Sequence, residues 1–197
     1  MSNNPVDPSV PVRPADVAEL TKLLAQYGID AERWQHPASN DVRDLFRELN
    51  HGECRLYLQP IRRELSIARI WIRRGGLVLI EKEIEETPGR RQARRRLPSE
   101  KFLPDETPEA AARRGLCEEL GCTADAIQSI NFLTTTPISR PTAASYPGLR
   151  SDYIVHDVAC VVTGLPETAF ETVENDVPGG KVVIHRWDWA APVGLEI

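Results

Sequence analysis

The chain has 197 residues, of which 41% are hydrophobic, and it carries a formal net charge of −5 at pH 7. This length suits one domain with extra segments, or two small domains. The overall charge does not favour a nucleic-acid partner, and no apolar run approaches the ~20 residues of a membrane-spanning helix. We therefore expect neither a specific nucleic-acid partner nor a membrane location.

The N-terminus begins with a proline-rich lead, residues 1–15, that lacks the basic and apolar regions of a signal peptide. We expect this lead to be extended and poorly ordered. The cysteines form no CxxC pair and have no nearby histidine at a spacing typical of zinc sites. They are Cys54, Cys117, Cys122 and Cys160. The sequence therefore predicts buried or helix-surface thiols in a reducing cytosol, and hence a cytoplasmic protein.

Two helices are predicted before the first strand. Asp16 is the expected N-cap of a helix over residues 17–27, with Glu19 completing a capping box. A second helix is expected over residues 41–52, because apolar residues recur there at i, i+3, i+4 and i+7. The expected division of the chain is a disordered lead at 1–15, an N-terminal helical extension at 16–52 and a main domain at 53–197.

The rest of the chain alternates strand-like segments with turns and one further helix. Residues 64–86 alternate with the period of two that is typical of strands, and the glycine pair after Arg74 predicts a hairpin turn. Further strands are expected at 55–60, 127–135, 152–164 and 181–189, and loops at 89–96, 140–151 and 165–180. The pattern predicts an α+β fold, or an α/β sandwich.

The predicted loop at residues 89–96, GRRQARRR, is a dense basic segment in an acidic protein. One interpretation is a solvated loop. The other is an anion site in which Arg94, Arg95 and Arg96 bind phosphate, because guanidinium groups match the geometry of phosphate oxygens. The sequence leaves both interpretations open.

A well-marked helix follows, in which Thr107 is the expected N-cap and Gly121 lies just past the end. Each helical residue advances by about 100° around the axis. With the apolar stripe facing the core, Glu118 and Glu119 flank an exposed groove that has Gly115 at its centre. The helix therefore presents two adjacent carboxylates.

Adjacent carboxylates on a rigid helix make a hard-oxygen site for Mg²⁺ or Mn²⁺. Such an ion neutralises phosphate oxygens and lowers the pKa of bound water, which prepares a nucleophile for phosphate anhydride cleavage. Glu118 and Glu119 are therefore candidate metal ligands, and Arg114, one turn earlier, can pair with Glu118. The alternative, for the glutamate pair alone, is ordinary solvated surface.

The spacing from Glu106 through Cys122 resembles the Nudix box. That pattern runs Gly, five residues, Glu, seven residues, then Arg-Glu-apolar-any-Glu-Glu-any-Gly-apolar. The matching residues are Glu106, Arg114, Leu116, Glu118, Glu119, Gly121 and Cys122. The strand pattern around the box also resembles the Nudix α/β/α sandwich with its mixed sheet. The resemblance covers nearly the whole chain and makes residues 53–197 a Nudix-like domain.

The resemblance implies divalent-metal-dependent hydrolysis of a phosphoanhydride in a nucleoside diphosphate linked to another group. In that case Glu118 and Glu119 hold Mg²⁺ or Mn²⁺, Arg114 orients a carboxylate, and Glu106 belongs to the same catalytic set. The implied partner is a nucleotide-type small-molecule substrate. A homodimer is the assembly that we consider alongside the monomer.

Two positions depart from the box. Glu100 stands where the box has its leading Gly, whose backbone carbonyl binds a metal in the family. Glu100 keeps the carbonyl and adds a carboxylate, which is a third candidate metal ligand. Gly115 stands where the box has the first Glu of Arg-Glu, which binds metal or acts as a base. Glycine inside a helix costs about 1 kcal/mol relative to alanine, which fits either close approach of a ligand or lost catalysis.

Three functions therefore stay open. The first is the metal-dependent hydrolase. The second is a Nudix-fold nucleotide-binding or regulatory module with little or no catalysis, because the central carboxylate is missing. The third is an interaction domain that uses the N-terminal helices, which predicts neither nucleotide binding nor phosphate release.

Two further pairs of side chains have a functional and a structural interpretation. Glu171 and Glu174 lie in a predicted loop after the box, where either could be the general base or part of a solvated acidic loop. Tyr146 and Tyr153 could stack on a nucleotide base, or pack internally with one polar tip.

Two histidines and two tryptophans are expected to be structural. His156 and His185 lie on predicted strands, where a hydrogen-bonded core histidine is favoured over a catalytic one. Trp187 and Trp189 share one face of a predicted strand and are expected to fill the core.

Overall fold

The computed structural model describes residues 9–35, 40–86, 90–177 and 181–195. Residues 1–8 of the predicted lead lie outside the described residues, as do residue 89 of the basic segment and residues 178–180 of the last predicted loop. The chain divides into two compact units. The first holds the described residues up to Ser66, Leu103–Asp105 and Pro137–Ile154, and the second holds Ile67–Phe102, Glu106–Thr136 and the described residues from Val155 onward.

The helices in the described residues lie where the sequence predicts them. They are α1 (Val17–Gln26), α2 (Val42–His51) and α3 (Pro108–Glu118), with short 3-10 helices at Ala31–Gln35 and Ala124–Ala126. The strands are β1 (Arg55–Leu58), β2 (Ile61–Arg74), β3 (Leu77–Glu86), β4 (Arg90–Arg96), β5 (Ser99–Lys101), β6 (Ile127–Arg140), β7 (Ser151–Val162), β8 (Phe170–Val177) and β9 (Lys181–Ala190).

The first unit encloses a core between the N-terminal helices and the β1–β2 hairpin. Leu20 and Leu24 of α1 and Leu45 of α2 are fully buried, and each such side chain contributes about 1.5–3 kcal/mol by leaving water. The backbone N–H of Val12 donates to the carbonyl of Leu56 at 2.8 Å. The described end of the proline-rich lead is therefore attached to β1.

A buried ion pair lies in this core. Glu48 of α2 and Arg63 of β2 approach to 2.7 Å, and each side chain is 2% exposed. The Arg63 guanidinium lies 4.9 Å from the centre of the Tyr146 ring, which packs on Trp34 at a centroid distance of 5.1 Å. Tyr146 is fully buried, so its role is internal packing. Tyr153 is half-buried, and its interpretation stays open.

The second unit is built on a sheet with the strand order β6-β7-β2-β3-β9-β8, in which β4 also pairs with β3 and β5 with β2. The helix α3 packs on this sheet through Ala112 and Leu116, and Leu120 follows just after the helix. All three share a buried cluster with Ile70 and Leu79 of the sheet. The predicted α+β fold with a mixed sheet is therefore confirmed.

Two segments predicted as loops are strands instead. The basic segment forms β4, which pairs antiparallel with β3, and the segment 165–180 contains β8, which pairs antiparallel with β9. Neither segment shows the strict apolar alternation on which strand prediction relies, and in both segments some cross-strand pairs join opposite charges. Arg91 lies 2.9 Å from Glu85, and Arg186 lies 2.7 Å from Glu171.

The tryptophans of β9 and the histidine of β7 pack as predicted. Trp187 is fully buried, and Trp189 is half-buried against the same core cluster. His156 stacks on Phe102 at a centroid distance of 4.8 Å, and its Nδ1 lies 3.0 Å from the hydroxyl of Thr135. These contacts give each side chain a structural role.

Asp157 of β7 is hydrogen-bonded to two side chains of β2. Its carboxylate accepts hydrogen bonds from Arg69 at 2.6 and 2.8 Å and from the indole of Trp71 at 2.6 Å. Burial alone would raise the pKa of Asp157, but the hydrogen bonds from Arg69 and Trp71 outweigh it and hold the pKa below the usual 3.8. Because the folded-state pKa is depressed, this stabilisation is complete above the usual pKa and is lost as the pH falls through the folded-state value.

We therefore expect Asp157→Asn to lower the free energy of unfolding by about 1.5–3 kcal/mol at pH 7, the range for hydrogen bonds to a charged group. Urea unfolding at pH 7 and at pH 3 measures this, and the gap to wild type should narrow at pH 3. Asp125→Asn, at an exposed position, is the control and should match wild type. An equal gap at both pH values would contradict the expectation.

Candidate active site

The helix α3 carries the two adjacent glutamates at its C-terminal end. The hydroxyl of Thr107 accepts a backbone hydrogen bond of 3.2 Å at the N-terminus, and Pro108 is the first helical residue. Gly121 takes a φ of 65°, a left-handed conformation that ends helices. Glu118 is therefore the last helical residue and Glu119 the C-cap.

The backbone of Glu119 is anchored to the sheet. The hydroxyl of Thr172 on β8 donates to the carbonyl oxygen of Glu119 at 2.5 Å. The indole N–H of Trp187 donates to the same hydroxyl at 2.8 Å. Because Trp187 is part of the buried core, the end of α3 has a fixed position over β8 and β9.

Arg114 contacts three carboxylates, which belong to Glu100, Glu106 and Glu118. Its Nε and Nη2 each lie 3.0 Å from an oxygen of Glu106. Its Nη1 lies 3.1 Å from Glu118 Oε2 and 3.1 Å from Glu100 Oε1. Its Nη2 also donates to the carbonyl of Lys101 at 2.6 Å. The predicted contact with Glu118 is therefore present, and Glu100 and Glu106 join it on the same guanidinium.

Gly115 is buried, so the predicted exposed groove with this glycine at its centre is wrong. A Cβ built on Gly115 would lie 2.9 Å from the Cβ of Glu100 and 3.4 Å from its Cγ and its Oε2. The strand β5, which carries Glu100, covers this face of α3. The helical repeat of α3 carries no information on the position of that strand.

Burial and neighbouring charges shift the pKa values of two of these glutamates. Burial raises the pKa of Glu100 to about 7, with Arg114 opposing the rise and Glu118 adding to it. The pKa of Glu119 lies well above its usual value, first through burial and then through the charge of Glu100, with His185 opposing. A cation beside these carboxylates would favour their ionised forms.

A second charged cluster lies on β3, β8 and β9. His185 Nδ1 lies 2.7 Å from Glu81 Oε1, and its Nε2 lies 3.3 Å from Glu174 Oε2. Burial would lower the pKa of His185, but hydrogen bonds to Glu174 and Glu81 outweigh it and raise the pKa to about 9. The charges of Glu81 and Glu174 also raise the pKa of Glu119. The expectation of a buried, hydrogen-bonded His185 is confirmed, while its link to Glu119 was not predicted.

The arginines of β4 have partners within the second unit. Arg94 lies 2.9 Å from Glu81, which connects it to His185. Arg95 donates to two backbone carbonyls of the C-terminal segment at 2.9 and 3.0 Å. Arg96 stands opposite Glu81 in the strand register. A phosphate at Arg94 or Arg95 would therefore replace existing contacts.

The two candidate bases lie on β8 and have different surroundings. Glu171 is exposed and accepts a hydrogen bond of 2.7 Å from Arg186. Glu174 is half-buried, lies beside His185 and acts on the pKa of Glu119. The structure therefore separates two residues that the sequence could not distinguish.

The donor chemistry at the end of α3 suits a hard divalent cation. Glu100, Glu118 and Glu119 offer carboxylate oxygens, the ligands that Mg²⁺ and Mn²⁺ prefer. Among the residues that the structure describes, no three His, Cys, Asp or Glu side chains are already arranged to hold an ion. Arg114 engages Glu100 and Glu118, so these two would have to turn from Arg114 toward a bound ion.

The described chain has an α+β fold. Its helix α3 ends at the adjacent carboxylates of Glu118 and Glu119, and Arg114 of the same helix contacts three carboxylates. The family described as NUDIX domain matches residues 62–191 of the chain. The chain therefore belongs to the Nudix family, and the resemblance seen in the box is confirmed.

The chain is also similar to a solved structure, "Solution structure of the E. coli ORF135 protein", at 17% sequence identity. The match covers 66% of this chain and 74% of that chain, with a TM-score of 0.35. No curated protein matches the chain. Among the described helices, none combines the length and the apolar character that crossing a membrane requires.

Proposed function

We propose that this protein hydrolyses a phosphoanhydride in a nucleoside diphosphate linked to another group, with Mg²⁺ or Mn²⁺ as cofactor. Membership of the Nudix family supports a hydrolase in general. The observation that carries the proposal is the C-terminal end of α3. There Arg114 gathers Glu100, Glu106 and Glu118, and Glu119 follows with its backbone fixed to the sheet.

In this proposal Glu118 and Glu119 of α3 and Glu100 of β5 would hold the ion. When bound, such an ion neutralises phosphate oxygens and lowers the pKa of a bound water. Arg114 and Glu106 are positioning residues. Glu106 binds the guanidinium through two hydrogen bonds, a bidentate geometry that fixes its orientation, and Arg114 then places Glu118 and Glu100.

We propose that the phosphates of the substrate bind to Arg94, Arg95 and Arg96. Support comes from Arg94, which belongs to the charged cluster of Glu81 and His185. A substrate phosphate would replace Glu81 on Arg94, and a charged Arg–phosphate contact can be bidentate in the same way. The substrate is therefore expected to approach from the side of β4.

We propose Glu174 as the general base. His185 holds its carboxylate at 3.3 Å, and its charge acts on Glu119, so it lies within electrostatic reach of the metal ligands. We expect Glu174→Gln to lower kcat by about 10²-fold, the lower end of the contribution of a general base, with a smaller change in KM.

Glu171→Gln is the matched control for this substitution. Glu171 lies on the same strand and pairs with Arg186 at the surface, so its removal should leave kcat within about threefold of wild type, in keeping with the small energies of exposed ion pairs. Steady-state kinetics on both variants tests the assignment. Equal losses in the two variants would exclude Glu174 as the base.

The proposed activity is tested by a substrate screen with Mg²⁺, with Mn²⁺ and with chelator. Hydrolysis yields a nucleoside monophosphate and the phosphorylated second group, so phosphate release is measured after the reaction is stopped and these two products are treated with a phosphatase. The panel consists of nucleoside diphosphates that carry different second groups. We expect release from part of the panel with either ion and none with chelator. Release that persists in chelator, or no release from any compound, would contradict a metal-dependent hydrolase.

A nucleotide-binding or regulatory module is the second candidate, favoured by the missing side chain at Gly115. Calorimetric titration of Mn²⁺ and the same nucleotide panel separates it from the hydrolase. Binding of ion and nucleotide without phosphate release would support the module.

We also propose a cytoplasmic location and keep a homodimer as the proposed assembly. The location is supported by Cys117, Cys122 and Cys160, which form no disulfide in the described part of the chain. Light scattering of the purified chain tests the assembly.

A further inference from the structure

The two positions that depart from the Nudix box face each other in the structure. Glu100 stands in place of the leading Gly, and Gly115 stands in place of a Glu. The Cβ that a side chain at position 115 would add lies 2.9 Å from the Cβ of Glu100. Real Cβ atoms do not approach other heavy atoms this closely, so side chains at both positions cannot coexist without displacement.

Neither element can yield easily to such a clash. The contact on Glu100 is its Cβ, the first side-chain atom on a strand that pairs with β2 through Glu100↔Ala68. Ala68 and the helical neighbour Leu116 are both fully buried in the same core cluster. Packed cores resist added atoms, and forcing one in shifts side chains and backbone.

We propose that these two positions have exchanged roles, so that Glu100 on β5 supplies the carboxylate that the family carries on the helix, and Gly115 provides the space for it. This inference rests on the proposed function and concerns which residue completes its metal site. The site then draws two carboxylates from α3 and one from β5.

The position of the Glu100 carboxylate supports the exchange. Its Oε2 lies 3.4 Å from where a Cβ of residue 115 would be, so the carboxylate lies directly beside the space that a side chain at 115 would need. Its Oε1 lies 3.1 Å from Arg114 Nη1, the same atom that binds Glu118 Oε2 at 3.1 Å. The carboxylates of Glu100 on β5 and Glu118 on α3 therefore contact the same nitrogen atom of Arg114.

The Glu100 carboxylate is partly buried and already paired. Its side chain is 16% exposed and its Oε1 contacts Arg114, which offsets the cost of removing a carboxylate from water. A carboxylate held in this way beside Glu118 is placed to act as a ligand.

Four variants test the exchange by Mn²⁺ calorimetry and thermal unfolding, with phosphate release as a third measurement. They are Glu100→Gln, Glu100→Gly, Gly115→Glu and the double variant Glu100→Gly/Gly115→Glu. Glu100→Gln keeps the shape of the side chain and should fold. We expect it to raise the Kd for Mn²⁺ by at least about tenfold, because loss of a residue that only supports a metal ligand already costs about 10–100-fold.

The variants at position 115 test the steric part. Gly115→Glu alone should lower Tm by about 5 °C because of the clash with Glu100. The double variant removes the clash and returns a carboxylate to the helix, so it should regain most of the Tm and most of the Mn²⁺ affinity. Glu109→Gln, in the first turn of the same helix, is the matched control and should behave as wild type.

The outcomes separate this inference from the proposed function. Wild-type Mn²⁺ binding and phosphate release, combined with unchanged Mn²⁺ affinity in Glu100→Gln, would overturn the exchange and leave the hydrolase intact. A Gly115→Glu variant as stable as wild type would overturn the steric argument. A wild-type protein that neither binds Mn²⁺ nor releases phosphate would overturn the proposed function, and the exchange with it.

Discussion

Glu119→Gln is expected to lower metal-dependent kcat by about 10³-fold or more, which corresponds to about 4 kcal/mol of lost transition-state stabilisation. The substitution keeps the shape of the side chain but removes the negative charge that would hold the ion. It leaves the backbone carbonyl free to accept its hydrogen bond from Thr172. The fold should therefore survive, and the loss should appear in kcat and in the Kd for Mn²⁺.

Thermal unfolding and Mn²⁺ calorimetry accompany the kinetics of this variant. Glu109→Gln is again the control, because it removes a carboxylate from the opposite end of the same helix. Full activity in Glu119→Gln at saturating Mn²⁺ would remove Glu119 from the proposed metal site. A loss of activity that is matched by unfolding would instead assign Glu119 a structural role.

Arg63→Met is expected to destabilise the first unit by about 3–5 kcal/mol, the cost of leaving one partner of a buried ion pair without the other. Glu48 would be left at 2% exposure without its guanidinium, and Tyr146 would lose the cation over its ring. Denaturant unfolding measures the loss.

The double variant Glu48→Leu/Arg63→Met distinguishes an uncompensated charge from lost packing. Replacement of a buried ion pair by apolar residues of similar volume is often neutral or stabilising, so the double variant should be more stable than Arg63→Met alone. If the double variant were destabilised by the sum of the losses in Arg63→Met and in a single Glu48→Leu variant, the pair would not be coupled. Arg62→Ala, at the partly exposed neighbouring position, should change stability by less than about 1 kcal/mol.

The helices could be predicted because the signals that start and stop them are local. The ends of α3 are marked by Thr107, Pro108 and Gly121, each within one turn of the end that it marks. The spacing of the box gives the order of the carboxylates along that helix. The hydrogen bond between Arg114 and Glu118 could be predicted from the helical repeat alone. Local sequence signals were therefore enough to predict the helix and the family. Of the contacts of Arg114, they predicted only the one with Glu118.

Contacts between distant segments could not be predicted in the same way. The burial of Gly115 depends on where β5 lies, and no period along α3 contains that information. His185 and Glu81 are 104 residues apart in the chain, so their pairing follows from the strand order. The strand β4 was missed because its ladder with β3 is made of charges, and strand prediction relies on apolar alternation.

The charged ladder of β4 has a consequence for self-association. A strand at a sheet edge can template the addition of another chain, and natural proteins discourage this with charged side chains. Arg91 pairs with Glu85, and Arg94 with Glu81, on the side of β3. If the β4 strands of two molecules met edge to edge, arginines would stand opposite arginines, and like charges placed opposite each other destabilise a strand pair. We therefore expect the same residues that obscured this strand in the sequence to disfavour edge-to-edge pairing of β4 between two molecules.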